Sequence, residues 1–77
     1  MSRLTPLPFK KVREILMNSG FVYKSSKGSH VKYENKRAGR VVIVPRHGNK
    51  DIPVGTLQSI ITRSGLSREL FIAENKD

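Results

Sequence analysis

The chain has 77 residues, no cysteine and no tryptophan, and its 15 lysines and arginines outnumber its 6 acidic residues to give a net charge of +9. A chain this short builds one small core, so we expect a single domain over residues 1–77. It has no disulfide and no Cys/His metal cluster to stabilise that core. No apolar run approaches the roughly 18 residues of a membrane span, and the chain does not begin with a hydrophobic signal core. We therefore expect a cytoplasmic protein with no membrane partner. The charge predicts a polyanion as partner.

The first predicted element is a helix. Apolar residues recur at three- and four-residue spacing after a proline-rich start, which predicts a helix over about residues 8–18. Gly20 can adopt the left-handed conformation that ends a helix, and we expect Phe21 to fold back as the apolar contact of that stop.

Three β-branched and aromatic runs follow, and they predict three antiparallel strands over 21–25, 29–34 and 40–45. Both breaks between them contain glycine. We expect a tight turn over 26–28 and a longer hairpin loop over 35–39.

Alternation along the second strand indicates which side chains face outward. Val31 and Tyr33 share one face, which the helices are expected to bury. The opposite, open face is predicted to carry His30, Lys32 and Glu34, and Lys24 of the first strand can join them.

After the polar loop 46–51, apolar residues again recur at helical spacing. They predict a second helix over about residues 53–63, which ends at Gly65. A short last helix is predicted over 67–74, with Ser67 as its cap. The element order indicates an α+β fold, α-β-β-β-α plus a short C-terminal helix, with a three-stranded antiparallel sheet and helices packed on one face.

The positive charge is concentrated in the middle of the chain. Residues 22–50 carry eight bases against one acid, whereas residues 51–77 carry three bases and four acids. A run of this kind is often only a solvated face, but its coincidence with the strands and loops favours a phosphate-binding surface.

Within that region, His30 follows a glycine break and lies between two lysines. An imidazole can take or give a proton near neutral pH. Lys27 and Lys32 would attract a phosphodiester, and their repulsion favours the neutral imidazole, which acts as a base. This suits abstraction of the proton of an RNA 2′-hydroxyl. The alternative is a structural histidine in a strand.

The loop before the second helix is a candidate anion cradle. Backbone N–H groups of Gly48 and of the helix start, with Arg46 and Lys50, would hold a phosphate. The alternative is an ordinary polar loop in which Asp51 caps the helix. Gly55 in the first helical turn is explained by close approach of a ligand or partner, or by close packing on the sheet.

Other enzyme classes are not supported. With two histidines, no cysteine and scattered acids, the sequence shows no zinc pattern, no Walker loop and no carboxylate pair for two-metal chemistry. We expect no metal and no cofactor.

Several segments, in their order along the chain, resemble the HicA toxin family, the small mRNA interferases of toxin-antitoxin pairs. The Gly-Ser-His segment 28–33 and the Pro-Arg-His-Gly-Asn-Lys loop within 44–57 are the most specific when taken together. The resemblance to the family extends to the opening helix and its end at 12–21, to Ile60 and to the helix stop at 64–67. It therefore covers about residues 9–71.

The resemblance implies a fold like a double-stranded-RNA-binding domain, metal-independent cleavage of mRNA, and a HicB-like antitoxin that covers the active site. The catalytic histidine of the family falls on His30. We expect phosphates to be held and the developing oxyanion to be stabilised by basic side chains, with His47 or a nearby lysine protonating the leaving oxygen. The expected RNA-binding residues are Lys24, Lys27, Ser29, Lys32, Arg46, His47 and Lys50.

Two alternatives come from other classes. One is a non-catalytic module that binds double-stranded RNA by shape and phosphate contacts. The other is a basic protein whose charge serves mainly to dock an acidic protein.

Overall fold

The computed structural model describes residues 3–72 and shows one antiparallel sheet with strand order β1-β2-β3. The helices pack on one face of the sheet, as in a double-stranded-RNA-binding domain, which confirms the predicted α+β class. Within the described residues, no helix is long and apolar enough to cross a membrane. The elements are α1 (Phe9–Asn18), β1 (Val22–Lys27), β2 (His30–Asn35), β3 (Arg40–Pro45), α2 (Val54–Ser64) and the 3₁₀ turn η1 (Arg68–Phe71).

The end of α1 is the predicted glycine stop. Gly20 has φ +97°, its N–H donates to the Met17 carbonyl, and the Phe21 N–H donates to the Leu16 carbonyl at 3.0 Å. These two bonds form a Schellman motif, in which the residue after the glycine folds back onto the helix. Phe21 is buried in the core and belongs to this stop, so β1 begins one residue later than predicted.

The first hairpin is tighter than predicted. Lys27 pairs directly with His30, and only Gly28 and Ser29 lie between them. Gly28 has φ +59° whereas Ser29 is not in the positive-φ region, the pattern of a type II′ turn, whose twist matches that of the flanking strands. The expected break over 26–28 is therefore wrong, because pairing continues through Lys27 and the chain reverses over Gly28 and Ser29.

A bulge in β1 decides which side chains face the helices. Tyr23 lies opposite Tyr33, but Ser25 lies opposite Lys32, so one extra residue is inserted between them. The insertion leaves Tyr23 and Ser26 on the helix side of the sheet and turns Ser25 to the open side. Strict alternation would have placed Tyr23 and Ser25 together.

The core lies between the sheet and the helices and takes residues from every element except β1. An N-terminal segment also contributes: Leu7 and Ile52 exchange backbone hydrogen bonds of 3.2 and 2.6 Å, which ties this segment to the loop before α2. The buried apolar residues are Leu4, Val12, Ile15, Leu16, Phe21, Val31, Tyr33, Val42, Val44, Ile52, Leu57, Ile60 and Phe71.

The C-terminal segment differs from the predicted helix over 67–74. The predicted cap forms, since Ser67 Oγ accepts the Glu69 N–H at 3.3 Å. The following bonds span three residues, as in Leu70 N–H to the Ser67 carbonyl at 3.1 Å, so the element is one 3₁₀ turn rather than an α-helix. The turn is held by the buried Phe71 ring; residues 73–74 of the prediction lie outside the described residues.

Candidate functional site

His30 lines a cavity on the open face of the sheet, the face opposite the core that the helices of residues 3–72 cover. The type II′ turn places it as the first residue of β2, opposite Lys27, and two residues later Lys32 points to the same face. The imidazole therefore lies between the two lysines that flank it in sequence. The cavity has a volume of about 450 Å³ and is lined by Ser25, Ser26, Lys27, His30, Lys32 and Ile43.

The open face has a net positive charge, because its acidic residue, Glu34, is already in an ion pair. Glu34 Oε1 accepts a hydrogen bond from Lys24 Nζ at 3.1 Å. In contrast, Lys27 and Lys32 make no ion pair with any of residues 3–72. An exposed pair such as Lys24–Glu34 contributes at most about 1 kcal/mol to stability, but it lowers the charge that Lys24 offers to a ligand. The net positive field is therefore centred on Lys27 and Lys32, beside His30.

The His30 side chain itself is exposed and makes no hydrogen bond within residues 3–72. Both ring nitrogens are therefore accessible to a bound molecule. A proton-transfer group must come within about 3 Å of the proton that it moves, and nothing in this part of the chain blocks that approach. The arrangement is an exposed imidazole beside two cations.

Arg46 and Lys50 lie on the other side of the sheet from this cavity. The Arg46 guanidinium stacks over the Phe9 ring, 5.4 Å from its centroid. Both basic residues line a smaller cavity of about 250 Å³ that is shared with Lys10 at the start of α1. The expected anion cradle was placed at the start of α2, but the loop faces the start of α1. The α2 cap is Pro53 with no side-chain hydrogen bond, so Asp51 does not cap the helix.

A backbone hydrogen bond at Ser29 links the turn before His30 to the loop that carries Arg46 and Lys50. The Ser29 carbonyl accepts the Arg46 N–H at 2.6 Å, which anchors the start of the β3–α2 loop to the turn before His30. The His47 carbonyl accepts the Lys50 N–H in the next turn, and the His47 side chain is exposed outside the His30 cavity. Lys27 and Lys32 thus line the cavity of His30, whereas His47 does not.

Gly55 is exposed in the first turn of α2. A Cβ placed there would have no atom within 4 Å, so close packing on the sheet does not explain the glycine. Its neighbour Thr56 lines a second open-face cavity of about 460 Å³ together with Lys32 and Ile43. Of the two interpretations of Gly55, the one that remains is that a ligand or partner approaches its backbone closely.

Sequence reasoning missed a third group of residues, around Arg13 on the helix side. Phe9, Arg13 and Met17 line a groove between α1 and β1 together with the exposed ring of Tyr23. Their spacing of four residues on one helix face was a usable signal. Tyr33 was predicted to be buried, as it is, but the sequence does not show what surrounds its phenol oxygen.

Among residues 3–72, no three histidine, aspartate or glutamate side chains converge as ligands for a metal ion. A family model described as HicA toxin of bacterial toxin-antitoxin matches residues 9–66, which include both hairpins, the His30 cavity and both α-helices. No curated protein matches the chain.

Proposed function

Because the chain belongs to the HicA toxin family, and so is the toxin of a toxin-antitoxin pair with an antitoxin as partner, we propose that it is a metal-independent endoribonuclease that cleaves mRNA at His30. The observation that carries the proposal is the accessible imidazole of His30 between Lys27 and Lys32, two cations without ion pairs in the described chain.

In the proposed reaction, a ring nitrogen of His30 takes the proton of an RNA 2′-hydroxyl. The 2′-oxygen then attacks the adjacent phosphorus, the bond from phosphorus to the 5′-oxygen breaks, and the 5′-oxygen takes a proton. The products are a 2′,3′-cyclic phosphate and a 5′-hydroxyl end. A positioned base of this kind contributes about 10²- to 10⁴-fold to the rate.

Lys27 and Lys32 have two roles in this scheme. Their ammonium groups hold the phosphate and stabilise the negative charge that develops on its non-bridging oxygens. We assign the proton donor for the leaving oxygen to a lysine of the cavity, because His47 does not line it.

His30→Ala and His47→Ala form a matched test, because these are the two histidines of the chain. In the presence of a metal chelator, we expect His30→Ala to lower the rate of RNA cleavage by about 10²- to 10⁴-fold, since it removes the base. His47→Ala is expected to keep most of the rate. Equal cleavage by wild type and His30→Ala would end the catalytic role of His30, and loss of all cleavage on chelation would contradict metal independence.

We also propose that a HicB-like antitoxin covers the open face. Val41 and Ile43 are 43% and 48% exposed there, and Ile43 also lines the His30 cavity. A protein that buries this apolar strip while placing acidic side chains near Lys27 and Lys32 would close the cavity to RNA.

Ile43→Ser tests this arrangement, with Leu70→Ser as its control because both side chains are 48% exposed and Leu70 is in η1. We expect only Ile43→Ser to weaken binding of the antitoxin. Cleavage of RNA by toxin that is saturated with antitoxin would show that the open face is not covered.

A further inference from the structure

A groove of about 420 Å³ lies on the helix side of the sheet, between α1 and the edge strand β1. We call it the α1–β1 groove. It is separated by the sheet from the His30 cavity, and the proposed cleavage step uses none of its side chains. Its polar lining consists of Arg13, Tyr23, Ser26, Tyr33 and Arg46.

The Tyr33 hydroxyl in this groove has no hydrogen-bond partner among residues 3–72. The residue is only 2% exposed, yet its phenol oxygen makes no hydrogen bond with any of residues 3–72. Burial raises the pKa of Tyr33 above its ordinary value, and the nearby Arg13 and Arg46 only partly oppose this, so the phenol is a protonated donor at neutral pH. Buried hydroxyl groups are nearly always hydrogen-bonded to protein or to water, so this hydroxyl is free to donate to a ligand that enters the groove.

The charges around this hydroxyl specify an anion. Arg13 and Arg46 both line the groove, and neither forms an ion pair within the described chain. None of the lining side chains is acidic. Two guanidinium groups and one hydroxyl donor match the oxygens of a phosphate, because guanidinium binds phosphate in a two-pronged geometry.

An aromatic surface lies beside this anion site. The Tyr23 ring is 56% exposed and meets the Tyr33 ring edge-on, with centroids 6.4 Å apart and an interplanar angle of 79°. Its hydroxyl is within hydrogen-bond distance of Ser26 Oγ, at 3.2 Å, which orients the ring along the edge of the sheet. An exposed ring next to a phosphate site is what a nucleotide requires, because its base stacks on the ring.

The groove adjoins the two other cavities, with which it shares lining residues. Ser26 lines both the groove and the His30 cavity, on opposite sides of β1. Arg46 lines both the groove and the cavity that holds Lys10 and Lys50. A single RNA strand can therefore leave His30, turn around the edge of β1 and follow these basic side chains toward the start of α1.

We propose that the α1–β1 groove is a nucleotide subsite that holds a flanking nucleotide of the RNA substrate, with its phosphate on Arg13, Arg46 and the Tyr33 hydroxyl and its base on Tyr23. This inference rests on the proposed ribonuclease function and adds a second contact point for the same substrate. It also explains why Arg46 lies away from His30.

The test compares Arg13→Gln and Tyr33→Phe with Arg68→Gln, which makes the same charge change as Arg13→Gln at an exposed position of η1 outside the groove. Each variant is measured on a long single-stranded RNA and on a dinucleotide that is too short to span both sites. On long RNA we expect KM to rise about tenfold for Arg13→Gln and two- to tenfold for Tyr33→Phe, with little change in kcat. On the dinucleotide both variants should match wild type. Tyr33→Phe should keep its Tm, because it deletes a hydroxyl that has no partner in the described chain.

Three outcomes would overturn the subsite. If all three variants behave alike on long RNA while wild type cleaves and His30→Ala does not, the groove is not a subsite and the proposed function stands. If Arg13→Gln and Tyr33→Phe weaken binding of the antitoxin but not of RNA, the groove is a protein-docking surface. If wild type neither binds nor cleaves RNA, the proposed function fails, and the subsite fails with it.

Discussion

Gly28 and Gly55 are both glycines, but the backbone requires glycine at only one of the two positions. A Cβ would meet no atom within 4 Å at either position, so neither glycine is required by space. Gly28 has φ +59°, which an L-residue adopts only at a cost, whereas Gly55 lies in a helix with ordinary backbone angles. The first glycine shapes the turn that presents His30, and the second lowers helix stability without any benefit visible in the isolated chain.

Replacing each glycine by alanine should therefore change stability in opposite directions. We expect Gly28→Ala to lower the free energy of unfolding by about 1–2 kcal/mol, because alanine resists positive φ. Gly55→Ala should raise it by about 0.5–1 kcal/mol, because alanine is the better helix former. Urea unfolding with an unchanged m-value measures both. Stabilisation by Gly28→Ala, or destabilisation by Gly55→Ala, would contradict these assignments.

At this scale the sequence predicted that His30 and Lys32 share the open face, because strand alternation is a local property. It did not identify Tyr33 as a candidate ligand contact. The ring of Tyr33 is in the core, as its position in the strand predicted, but the lack of a partner for its hydroxyl depends on what other elements place around that oxygen.

The elements that hold the core extend beyond the family match at residues 9–66. Leu4 before α1 and Phe71 in η1 are 6% and 2% exposed and belong to the same buried cluster. Small domains have little core to spare, so these flanking residues are part of what stabilises the fold.

Phe71 and its neighbour Leu70 test this role directly. Leu70 is 48% exposed, whereas Phe71 is buried. We expect Phe71→Ala to lower the free energy of unfolding by about 3–5 kcal/mol, because it leaves a cavity, and Leu70→Ala to change it by less than about 0.5 kcal/mol. Thermal or urea unfolding distinguishes them, and equal effects would show that η1 does not pack as described.

Element bounds were predictable where a local signal sets them. The limits of β3 and the glycine stops at Gly20 and Gly65 were predicted from turn residues and periodicity, and the structure confirms them. The bulge between Tyr23 and Ser25 was not predictable, because it depends on pairing with β2 and no residue in β1 encodes it.

The whole molecule divides its positive charge between two sides of the sheet. The sequence predicted one basic region over residues 22–50, and the fold places Lys27 and Lys32 on the open side but Arg46 and Lys50 on the helix side. For Arg46 the cause is local, because Pro45 lies opposite His30 and the next residue along the chain faces the other side of the sheet. Lys50 follows in the β3–α2 loop, which the hydrogen bonds between Leu7 and Ile52 hold against the N-terminal segment, and no local pattern in the sequence reports that contact.

Analysis of the ends of a cleaved RNA tests the central claim most directly, since it also separates a nuclease from a non-catalytic RNA-binding module. Wild-type protein is incubated in chelator with an RNA and with the same RNA carrying a 2′-deoxynucleotide at the cleaved position, and the products are weighed by mass spectrometry. We predict a 2′,3′-cyclic phosphate and a 5′-hydroxyl from the RNA, while the deoxy-substituted strand stays intact at that position. Intact RNA, ends with a 3′-hydroxyl and a 5′-phosphate, or scission at the deoxynucleotide would contradict cleavage through the 2′-oxygen at His30.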